Sequence, residues 1–454
     1  MEHSYNTIFR EYDIRGTVGD EINEKVVFSI GAAYGERAKQ NGAKTVSAGR
    51  DCRLSSEALS AALVDGITSR GVNVSDIGLV STPMLYFSVF NRTPDGGVIV
   101  TASHNPPEYN GLKLCMGKNS MFGDDIKALA APVEAKSKHA RGKVTKAEIT
   151  EQYADFLTEG VKVERGLDFV FDCGNGAGGV AAPLVFEKLG LRARGIFTEP
   201  DGNFPNHHPD PSVDENLKDL IKEVRGGGGR LGMAFDGDAD RLGVVDENGN
   251  TVRGDMLVLI FALNIAAKTP GATVIGDVKC SRLLFELAAR AGAKTIMWKT
   301  GHSLMKKKLA DEKAELAGEM SGHIFFGDRF PGYDDALYAG LRLLEIVSEE
   351  GKPVSGLLEG VPELFSAPEI RVDCPDERKF KVAEAVKAGI AQKFAEAEIT
   401  EIDGVRAGFP GGWGLVRASN TQPALVMRFE AESEKRLSEI RGMVEEIVAG
   451  AVGG

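Results

Sequence analysis

The sequence predicts an α/β protein: three related α/β units with mixed, mostly parallel sheets, followed by a smaller C-terminal α+β unit. Three observations indicate this fold class. Short apolar strands alternate with helices, which is typical of βαβ units. Three blocks of similar size each carry a polar loop after a strand, whereas residues 363–454 contain several strands and two helices. A chain of 454 residues also has room for about two to four domains.

The first block is predicted to run from residue 1 to residue 148. Its runs TVSAGR, VNVSDIG and GVIV have the length and composition of strands. Between the first two, SSEALSAALVDGITSR has the periodicity of a helix, with Ser55 as its N-cap. After GVIV, prolines and polar residues end the strand and begin a loop that contains Ser103.

The second and third blocks, residues 149–250 and 251–362, repeat this alternation. In the second block LDFVFD and LGMAF are predicted strands, and SVDENLKDLIKEVR is a predicted helix. In the third, helices MLVLIFALNIAA, RLLFELAARAG and DDALYAGLRLLEIVSEE surround strands ATVIGDV, KTIMWK and AELAGE. The last unit, residues 363–454, is predicted to contain strands EIRVDCP, EITEIDGV, WGLVRAS and ALVMRFEA.

Composition and charge exclude several classes of protein. A net charge of −12 argues against a nucleic-acid partner, although an anionic small ligand remains possible because local fields can oppose the net charge. No apolar run approaches the ~20 residues of a membrane span, and the N-terminus lacks the apolar segment of a signal peptide. The five cysteines do not have metal-binding or redox spacing. We therefore expect a cytoplasmic protein with free thiols and no membrane partner.

The strongest local motif is DGDADR, which follows the predicted strand LGMAF. Its carboxylates at Asp236, Asp238 and Asp240 can converge on one hard cation, and Mg²⁺ is favoured because it is held by few carboxylates and a phosphate. An EF-hand is excluded because Arg241 stands where that loop needs glycine and the flanking elements are strands. A solvated acidic turn is the alternative.

Ser103 lies in TASHNPPEYNGLK and is either a reacting hydroxyl or a turn residue. A hydrolase of the nucleophile-elbow type is not supported, since the chain contains no G-x-S-x-G. Phosphoryl transfer needs an acceptor hydroxyl, a cation and a proton carrier, which Ser103, the aspartate loop and either His104 or Lys113 can supply. From this segment alone, both interpretations stay open.

Three further loops carry polar or small residues after strands. GEMSGH offers Glu319 and Ser321 to sugar hydroxyls, and RASNTQP groups cationic, hydroxyl and amide side chains that suit a phosphate, with a polar turn as the alternative for each. The glycines of GNGAGG do not fit a dinucleotide-binding pattern and predict a packing turn. Arg50 and Arg53 are interpreted as part of a helix-capping loop.

Taken together, these motifs resemble those of the α-D-phosphohexomutases, and within them the bacterial phosphomannomutase/phosphoglucomutase group. FREYDIRG, TASHNPPEYNGLK, DGDADR, TGHS, GEMSGH and RASNTQP occur in that order, from Phe9 to Pro423. The resemblance covers nearly the whole chain and implies four domains around a central cleft.

The resemblance also implies roles for matching residues. Ser103 would carry the phosphoryl group and, with Asp236, Asp238 and Asp240, would hold Mg²⁺. The other catalytic candidates are Lys113, Arg15 and Arg241, together with His104, which is considered as a proton carrier. The substrate-binding candidates are Tyr12, Lys279, His302, Glu319, Ser321, His323, Arg417, Ser419, Asn420 and Thr421.

The implied activity is reversible phosphoryl transfer between the 1- and 6-positions of glucose or mannose phosphates, through a phosphoserine and a hexose 1,6-bisphosphate. Glucose 1,6-bisphosphate or mannose 1,6-bisphosphate would be the activator, hexose phosphates the partners, and the chain a monomer or weak homodimer. We expect Lys113 to take the hydroxyl proton as a neutral amine, its pKa lowered by neighbouring cations.

Three other functions remain as alternatives. A glucosamine phosphate mutase would be expected to carry Gln in place of Met320 and a last loop of the form R-P-S-G-T-E-P. A sugar-phosphate phosphatase would use the same phosphoserine with water as the acceptor. A non-enzymatic sugar-phosphate sensor would have no need of Ser103, Lys113 and three aspartates together.

Overall fold

The computed structural model describes residues 6–92, 94–131, 140–375, 377–394, 397–420 and 423–453. These residues form four separate sheets, and the order of the sheets follows the order of the chain. The predicted fold class is confirmed: three α/β units with mixed sheets precede a C-terminal α+β unit.

The first sheet is mixed, with the strand order β1-β5-β4-β2-β3-β7 and β6 beside β5. Its strands are β1 (Ile14–Thr17), β2 (Thr45–Arg50), β3 (Asn73–Leu79), β4 (Gly96–Val100), β5 (Tyr109–Met116), β6 (Asn119–Ser120) and β7 (Val144–Lys146). Its helices are α1 (Glu24–Gln40), α2 (Ser56–Thr68), α3 (Thr82–Asn91) and α4 (Asp124–Lys127), and α5 (Thr150–Thr158) leads into the second unit. Strands β2, β3, β4 and β7 are parallel, whereas β5 runs antiparallel to both β1 and β4.

The second sheet has the order β12-β11-β10-β8-β9. Its elements are β8 (Asp168–Asp172), α6 (Ala182–Lys188), β9 (Arg192–Ile196), α7 (Lys218–Glu223), β10 (Gly232–Phe235), β11 (Leu242–Val245) and β12 (Thr251–Val252). Because β12 pairs with β11, this sheet continues to Val252, just past the predicted boundary at residue 250.

The third sheet has the order β14-β13-β15-β16, with β16 antiparallel to β15. Its elements are α8 (Gly254–Lys268), β13 (Thr273–Asp277), α9 (Arg282–Arg290), β14 (Lys294–Trp298), α10 (His302–Glu312), β15 (Leu316–Gly318), β16 (Ile324–Phe326), α11 (Ala336–Glu350) and α12 (Val354–Leu357).

The fourth sheet is antiparallel, in the order β17-β22-β21-β20-β19, and β18 also pairs with β22. Its elements are β17 (Phe365–Ser366), β18 (Ile370–Asp373), α13 (Lys379–Lys393), β19 (Glu398–Thr400), β20 (Val405–Phe409), β21 (Gly412–Ala418), β22 (Ala424–Ala431) and α14 (Glu434–Gly453). None of the helices in the described part of the chain combines the length and the apolarity that a membrane crossing needs. The five cysteines are free, as expected.

The first three units share an apolar core, and the fourth has its own. One cluster of buried side chains runs from α3 and α5 through the second sheet to α8 and α11. A separate cluster lies between the fourth sheet and its two helices. Polar contacts join the fourth unit to the third: Arg406 on β20 donates to the carbonyls of Val278 (2.7 Å) and Cys280 (2.9 Å), and Arg428 donates to that of Lys279 (2.8 Å).

This arrangement brings together loops from all four units. The Ser103 loop follows β4, the aspartate loop follows β10, the Glu319 loop follows β15, and the Arg417 loop joins β21 to β22. In open α/β sheets the ends of such strands are where ligands bind.

Candidate active site

Ser103 is buried and its hydroxyl points at the aspartate loop. Its Oγ donates a hydrogen bond of 2.7 Å to Oδ2 of Asp236. The residue has a φ of 50°, in the left-handed region that non-glycine residues rarely adopt, and its amide donates to Oγ1 of Thr101 (2.9 Å). The loop therefore holds the hydroxyl in one position at a cost in backbone strain.

The side chain of Arg53 supports the Ser103 loop. Arg53 was not predicted from the sequence to be a site residue. Its buried guanidinium donates to four loop carbonyls: those of Ser103 (2.7 Å), Asn105 (2.5 Å), Pro106 (2.7 Å) and Tyr109 (3.1 Å). Asp51 lies 3.3 Å from its Nε. Arg53 does lie in the loop that caps α2, since its carbonyl accepts from the Ser56 amide (2.9 Å), but its side chain bonds to a loop some fifty residues away, which no local pattern could reveal.

The aspartate loop brings three fully buried carboxylates together. One oxygen each of Asp236, Asp238 and Asp240 lies within 4.8 Å of the others. Oδ1 of Asp236 accepts from the amides of Asp240 (3.0 Å) and Arg241 (3.1 Å), which fixes the turn. Gly237 passes so close to the serine loop that a Cβ there would lie 2.3 Å from the Ser103 carbonyl oxygen.

Lys113 on β5 pairs with two of these carboxylates. Its ammonium donates to Oδ2 of Asp238 (2.7 Å) and to Oδ2 of Asp240. Burial lowers the pKa of Lys113, but Asp238 and Asp240 outweigh burial and raise the pKa above its ordinary value. The expectation of a neutral amine is therefore wrong for this state of the enzyme.

The pKa values of Asp236 and Asp238 are shifted in opposite directions. Burial, with the charges of Asp238 and Asp240, raises the pKa of Asp236 well above its usual range. Burial also disfavours the charged form of Asp238, yet the Lys113 ammonium and a 2.5 Å hydrogen bond from Thr82 hold its pKa below the usual value. Such a cluster is costly without a compensating cation.

The loop fits a divalent metal. Oδ1 of Asp238 and Oδ1 of Asp240 are buried and have no hydrogen-bond partner among the described residues. Lys113 uses the other oxygen of each carboxylate. Oxygen ligands from carboxylates are those that Mg²⁺ prefers, so the residues present match the predicted ion.

Arg15 contacts the serine loop, and His104 follows Ser103 in that loop. Arg15 donates to Oδ1 of Asn105 (2.5 Å) and to Oδ2 of Asp13 (2.7 Å). Nδ1 of His104 lies 3.0 Å from Ser103 Oγ. Burial, and next the Arg241 and Arg15 charges, lower the pKa of His104 well below its usual value, so this ring is neutral.

Arg241, His323 and Glu319 lie on the second and third units. Nε of Arg241 donates to Nε2 of His323 (2.9 Å), and Nδ1 of His323 lies 3.0 Å from Oδ2 of Asp334. Oε1 of Glu319 accepts from the amide of Gly301 (2.5 Å), and burial raises the pKa of this carboxyl. Asp334 was not recognised from the sequence; the adjacent acidic pair in GYDDALY was its only signal.

The other candidates of the third unit lie nearby. His302, at the start of α10, stacks on His323 with 5.6 Å between ring centroids. Ser321 is half-buried between β15 and β16. Nζ of Lys279 lies 3.6 Å from Glu369.

The fourth unit closes the cleft over the first. Nε of Arg417 donates to Oδ2 of Asp403 (3.0 Å), while its Nη2 is buried without a partner in the described part of the structure. Tyr12 of the first unit donates to the Thr300 carbonyl (2.6 Å) and accepts from the side-chain amide of Asn420.

Two remaining candidates lie in the same connection between β21 and β22. The amide of Ser419 donates to the carbonyl of Ala424 (2.8 Å). Thr421 lies outside the described residues.

The arrangement combines a hydroxyl carried by a residue with a strained backbone, a carboxylate cluster suited to a divalent cation, and the cationic side chains of Lys113, Arg15 and Arg241. Such a pocket can stabilise the negative charge of a phosphoryl group, which is the main demand of phosphoryl transfer. The unpartnered Arg417 nitrogen adds a second anion-binding position on another unit.

Comparison with known proteins gives matches along the whole chain. Four family descriptions of phosphoglucomutase/phosphomannomutase match: alpha/beta/alpha domain I at residues 6–140, domain II at 151–249, domain III at 253–365 and the C-terminal domain at 369–447.

Individual relatives match over nearly their full length. A phosphomannomutase/phosphoglucomutase of Pseudomonas syringae is 46% identical over 96% of this chain and 94% of its own. A phosphoglucomutase of Neisseria gonorrhoeae is 43% identical over 97% and 96%. A crystal structure of a phosphoglucomutase/phosphomannomutase family protein from Burkholderia thailandensis superimposes with a TM-score of 0.91 at 41% identity, covering 98% of each chain.

Proposed function

The chain belongs to the phosphoglucomutase/phosphomannomutase family and is a hexose-phosphate mutase, and we propose that it moves a phosphoryl group between the 1- and 6-positions of glucose or mannose phosphate. The names of the relatives favour these two sugars. The observation that carries the mechanism is the Ser103 hydroxyl, 2.7 Å from a buried aspartate cluster that needs a cation.

In this proposal Ser103 carries the phosphoryl group. The phosphoserine donates it to the free hydroxyl of a hexose phosphate, so that the Ser103 Oγ–P bond breaks and a sugar O–P bond forms. The resulting hexose 1,6-bisphosphate turns end for end and returns its other phosphoryl group to Ser103. Asp236, Asp238 and Asp240, with the Ser103 phosphate, would hold Mg²⁺, which when bound supplies positive charge against the transferring group.

Lys113 takes part as an acid in the step that returns the phosphoryl group. With Ser103 unphosphorylated, Lys113 is an ammonium, because Asp238 and Asp240 favour its charged form. It can therefore protonate the sugar oxygen that departs when phosphorus moves to Ser103. The proton of the Ser103 hydroxyl passes to a non-bridging oxygen of the transferring phosphoryl group, because Asp236 serves as a metal ligand in this proposal. In the opposite direction the same lysine, then neutral, takes the sugar hydroxyl proton.

The other candidates bind and orient the substrate. Arg15 and Arg241 lie beside the serine and aspartate loops and stabilise the transferring group. Arg417 binds the phosphate that does not react, through its buried Nη2, which has no partner among the described residues. Glu319 accepts from sugar hydroxyls. Because the bisphosphate must bind in two orientations, these contacts have to accept either end of the sugar.

The remaining substrate contacts in the proposal come from both sides of the cleft. They are Tyr12, Lys279, His302, Ser321, His323, Ser419, Asn420 and Thr421. We further propose glucose 1,6-bisphosphate or mannose 1,6-bisphosphate as activator, because either would phosphorylate Ser103. The proposed enzyme is a monomer or weak homodimer in the cytoplasm. Light scattering of the purified chain tests its oligomeric state.

A coupled assay tests this function directly. Glucose 1-phosphate, mannose 1-phosphate and glucosamine 1-phosphate are compared in the presence of magnesium and a trace of glucose 1,6-bisphosphate. We expect turnover of the first two to exceed that of the third. Faster turnover of glucosamine 1-phosphate would identify a glucosamine phosphate mutase, and release of inorganic phosphate would identify a phosphatase.

A further inference from the structure

Lys306 on α10 is a partly buried lysine that the proposed mechanism does not use. Its ammonium contacts three groups: Oδ1 of Asp334 (2.7 Å), Oη of Tyr86 (2.9 Å) and Nδ1 of His302 (3.0 Å). An ammonium has three donors and no acceptor, so each of its N–H groups has one partner. The contact with Asp334 is an ion pair.

This contact fixes where the proton of His302 lies. Because Lys306 can only donate, Nδ1 of His302 must accept, and a neutral imidazole then carries its proton on Nε2. Burial, and next the charge of Lys306, lower the pKa of His302 well below its usual value, so the ring is neutral. Nε2 is buried and has no hydrogen-bond partner among the residues described.

The neighbouring His323 has the opposite tautomer, and its N–H faces a carboxylate. Arg241 donates to its Nε2 (2.9 Å), so the proton lies on Nδ1, which is 3.0 Å from Asp334. The two imidazoles stack with an interplanar angle of 23°. Neither N–H has a hydrogen-bond partner among the described residues, but that of His323 faces the Asp334 carboxylate, whereas no carboxylate of these residues pairs with Nε2 of His302. Of these two rings, His302 is therefore the one whose N–H faces no charged group.

The position of His302 indicates which ligand meets this N–H. Its ring contacts those of His323 and Tyr12, with centroids 5.6 Å and 6.2 Å away, and both of these residues belong to the candidate site. A buried donor without a partner is costly, and an oxygen of a bound ligand would remove that cost.

We infer that Lys306 is a positioning residue that fixes His302 as the Nε2–H tautomer, so that this imidazole offers a neutral hydrogen-bond donor to an oxygen of the hexose phosphate. The identity of the ligand rests on the proposed function, whereas the tautomer rests on the contacts of Lys306 alone. Asp334 serves both rings, since it pairs with Lys306 and faces Nδ1 of His323.

Nitrogen NMR of histidine-labelled protein tests the tautomer on the unaltered chain. Long-range proton–nitrogen spectra separate the two neutral tautomers, and the His302→Asn variant assigns the signals. We expect His302 to show a protonated Nε2 and an unprotonated Nδ1. A protonated Nδ1, or a cationic ring, would overturn the inference whatever the enzyme's activity.

Kinetics of three lysine variants test the consequence. Lys306→Met should give a mixture of His302 tautomers and reduce kcat/KM about tenfold, the effect of one hydrogen bond to a charged group. Lys306→Arg, which keeps a donor, should restore the Nε2–H signal and most of the activity. Lys307→Met changes an exposed lysine of the same helix, paired with Asp311, and should leave both unchanged.

The two readouts separate this inference from the proposed function. Equal kcat/KM values for Lys306→Met and the unaltered enzyme would overturn the role of Lys306, even with the expected tautomer. If Lys306→Met fails to fold, the spectrum of the unaltered chain still decides the tautomer of His302. The activity of Lys306→Arg then decides whether a hydrogen-bond donor is needed at position 306. If the unaltered enzyme has no mutase activity, the proposed function and the ligand assigned to His302 are both contradicted. The tautomer of His302 is still decided by the spectrum.

Discussion

At the scale of single residues, the site depends on contacts between side chains that lie far apart in the sequence. The resemblance to the phosphohexomutases implied that Ser103 lies beside the aspartates, which spacing alone left open, and the structure has Ser103 2.7 Å from Asp236. The charge of Lys113 could not be predicted in the same way. Its two carboxylate partners lie 125 and 127 positions away, and only the fold shows that they outweigh the neighbouring cations.

Gly237 is predicted to be necessary for the contact between the serine and aspartate loops. A Cβ at this position would lie 2.3 Å from the Ser103 carbonyl oxygen, so Gly237→Ala must push the loops apart. We expect kcat to fall about a hundredfold, as for other displacements of roughly 1 Å. Steady-state kinetics measure this effect.

The matched control is Gly226→Ala, where a Cβ would have no atom within 4 Å. It should leave kcat unchanged and the thermal unfolding curve in place. Full activity of Gly237→Ala would show that the close approach of the two loops is not required.

Arg417 is predicted to act mainly in binding. Removing its guanidinium takes away the buried, unpartnered Nη2 that we assign to the non-reacting phosphate. Arg417→Ala should raise KM roughly tenfold to a hundredfold, the effect of losing a hydrogen bond to a charged group, with a smaller change in kcat. Arg441→Ala, an exposed arginine on α14 paired with Glu445, is the control. A fall in kcat larger than the rise in KM would contradict a phosphate-gripping role.

At the scale of elements, local pattern was sufficient for α2, which has one apolar face, and for the long apolar helix α8, but not for the short helix α3. The predicted run SSEALSAALVDGITSR became α2, at Ser56–Thr68. Helix α3 was not predicted from the sequence, because TPMLYFSVFN is a short, mostly apolar and aromatic run that is ambiguous between a strand and a helix. Its burial among three units explains that composition, since a helix with no solvent face has no polar stripe.

The packing of α1 on α2 gives a prediction about stability. A Cβ at Gly66 would lie 2.2 Å from the Phe28 carbonyl oxygen, and one at Gly31 would lie 2.5 Å from that of Leu63. Gly66→Ala should therefore lower the free energy of unfolding by about 1–3 kcal/mol through overpacking. Chemical denaturation followed by circular dichroism measures the change.

Gly442→Ala is the matched substitution on an exposed face of helix α14, with no atom within 4 Å of the new Cβ. It should raise the free energy of unfolding by about 0.5–1 kcal/mol, since alanine is the better helix former. If both variants had the same stability, close helix packing would not be the reason for glycine at position 66.

At the scale of the whole molecule, the site exists because four units meet. The sequence predicted four units and a polar loop on each, but not the contacts between them. The shared core of the first three units keeps the serine, aspartate and Glu319 loops together, whereas the fourth unit docks through polar contacts, a small apolar cluster around Trp413, and Asn420 on Tyr12. This difference suits a unit that closes over a substrate and excludes water.

Metal removal is predicted to abolish turnover without unfolding the chain. The three aspartates are tied to backbone amides, Thr82 and Lys113, which keep the loop in place without an ion. EDTA should therefore eliminate mutase activity, and excess Mg²⁺ should restore it, while the circular dichroism spectrum stays the same. Activity that persists after complete chelation would remove the metal from the mechanism.

The most direct test of the central claim is the site of phosphorylation on the protein. The purified chain is incubated with glucose 1,6-bisphosphate and magnesium, digested, and its phosphopeptides are located by mass spectrometry. The account predicts one phosphoryl group on Ser103, which is lost when glucose 6-phosphate is added, and none on Ser103→Ala. A turnover-competent enzyme without phosphate on Ser103, or with phosphate on another residue, would contradict it.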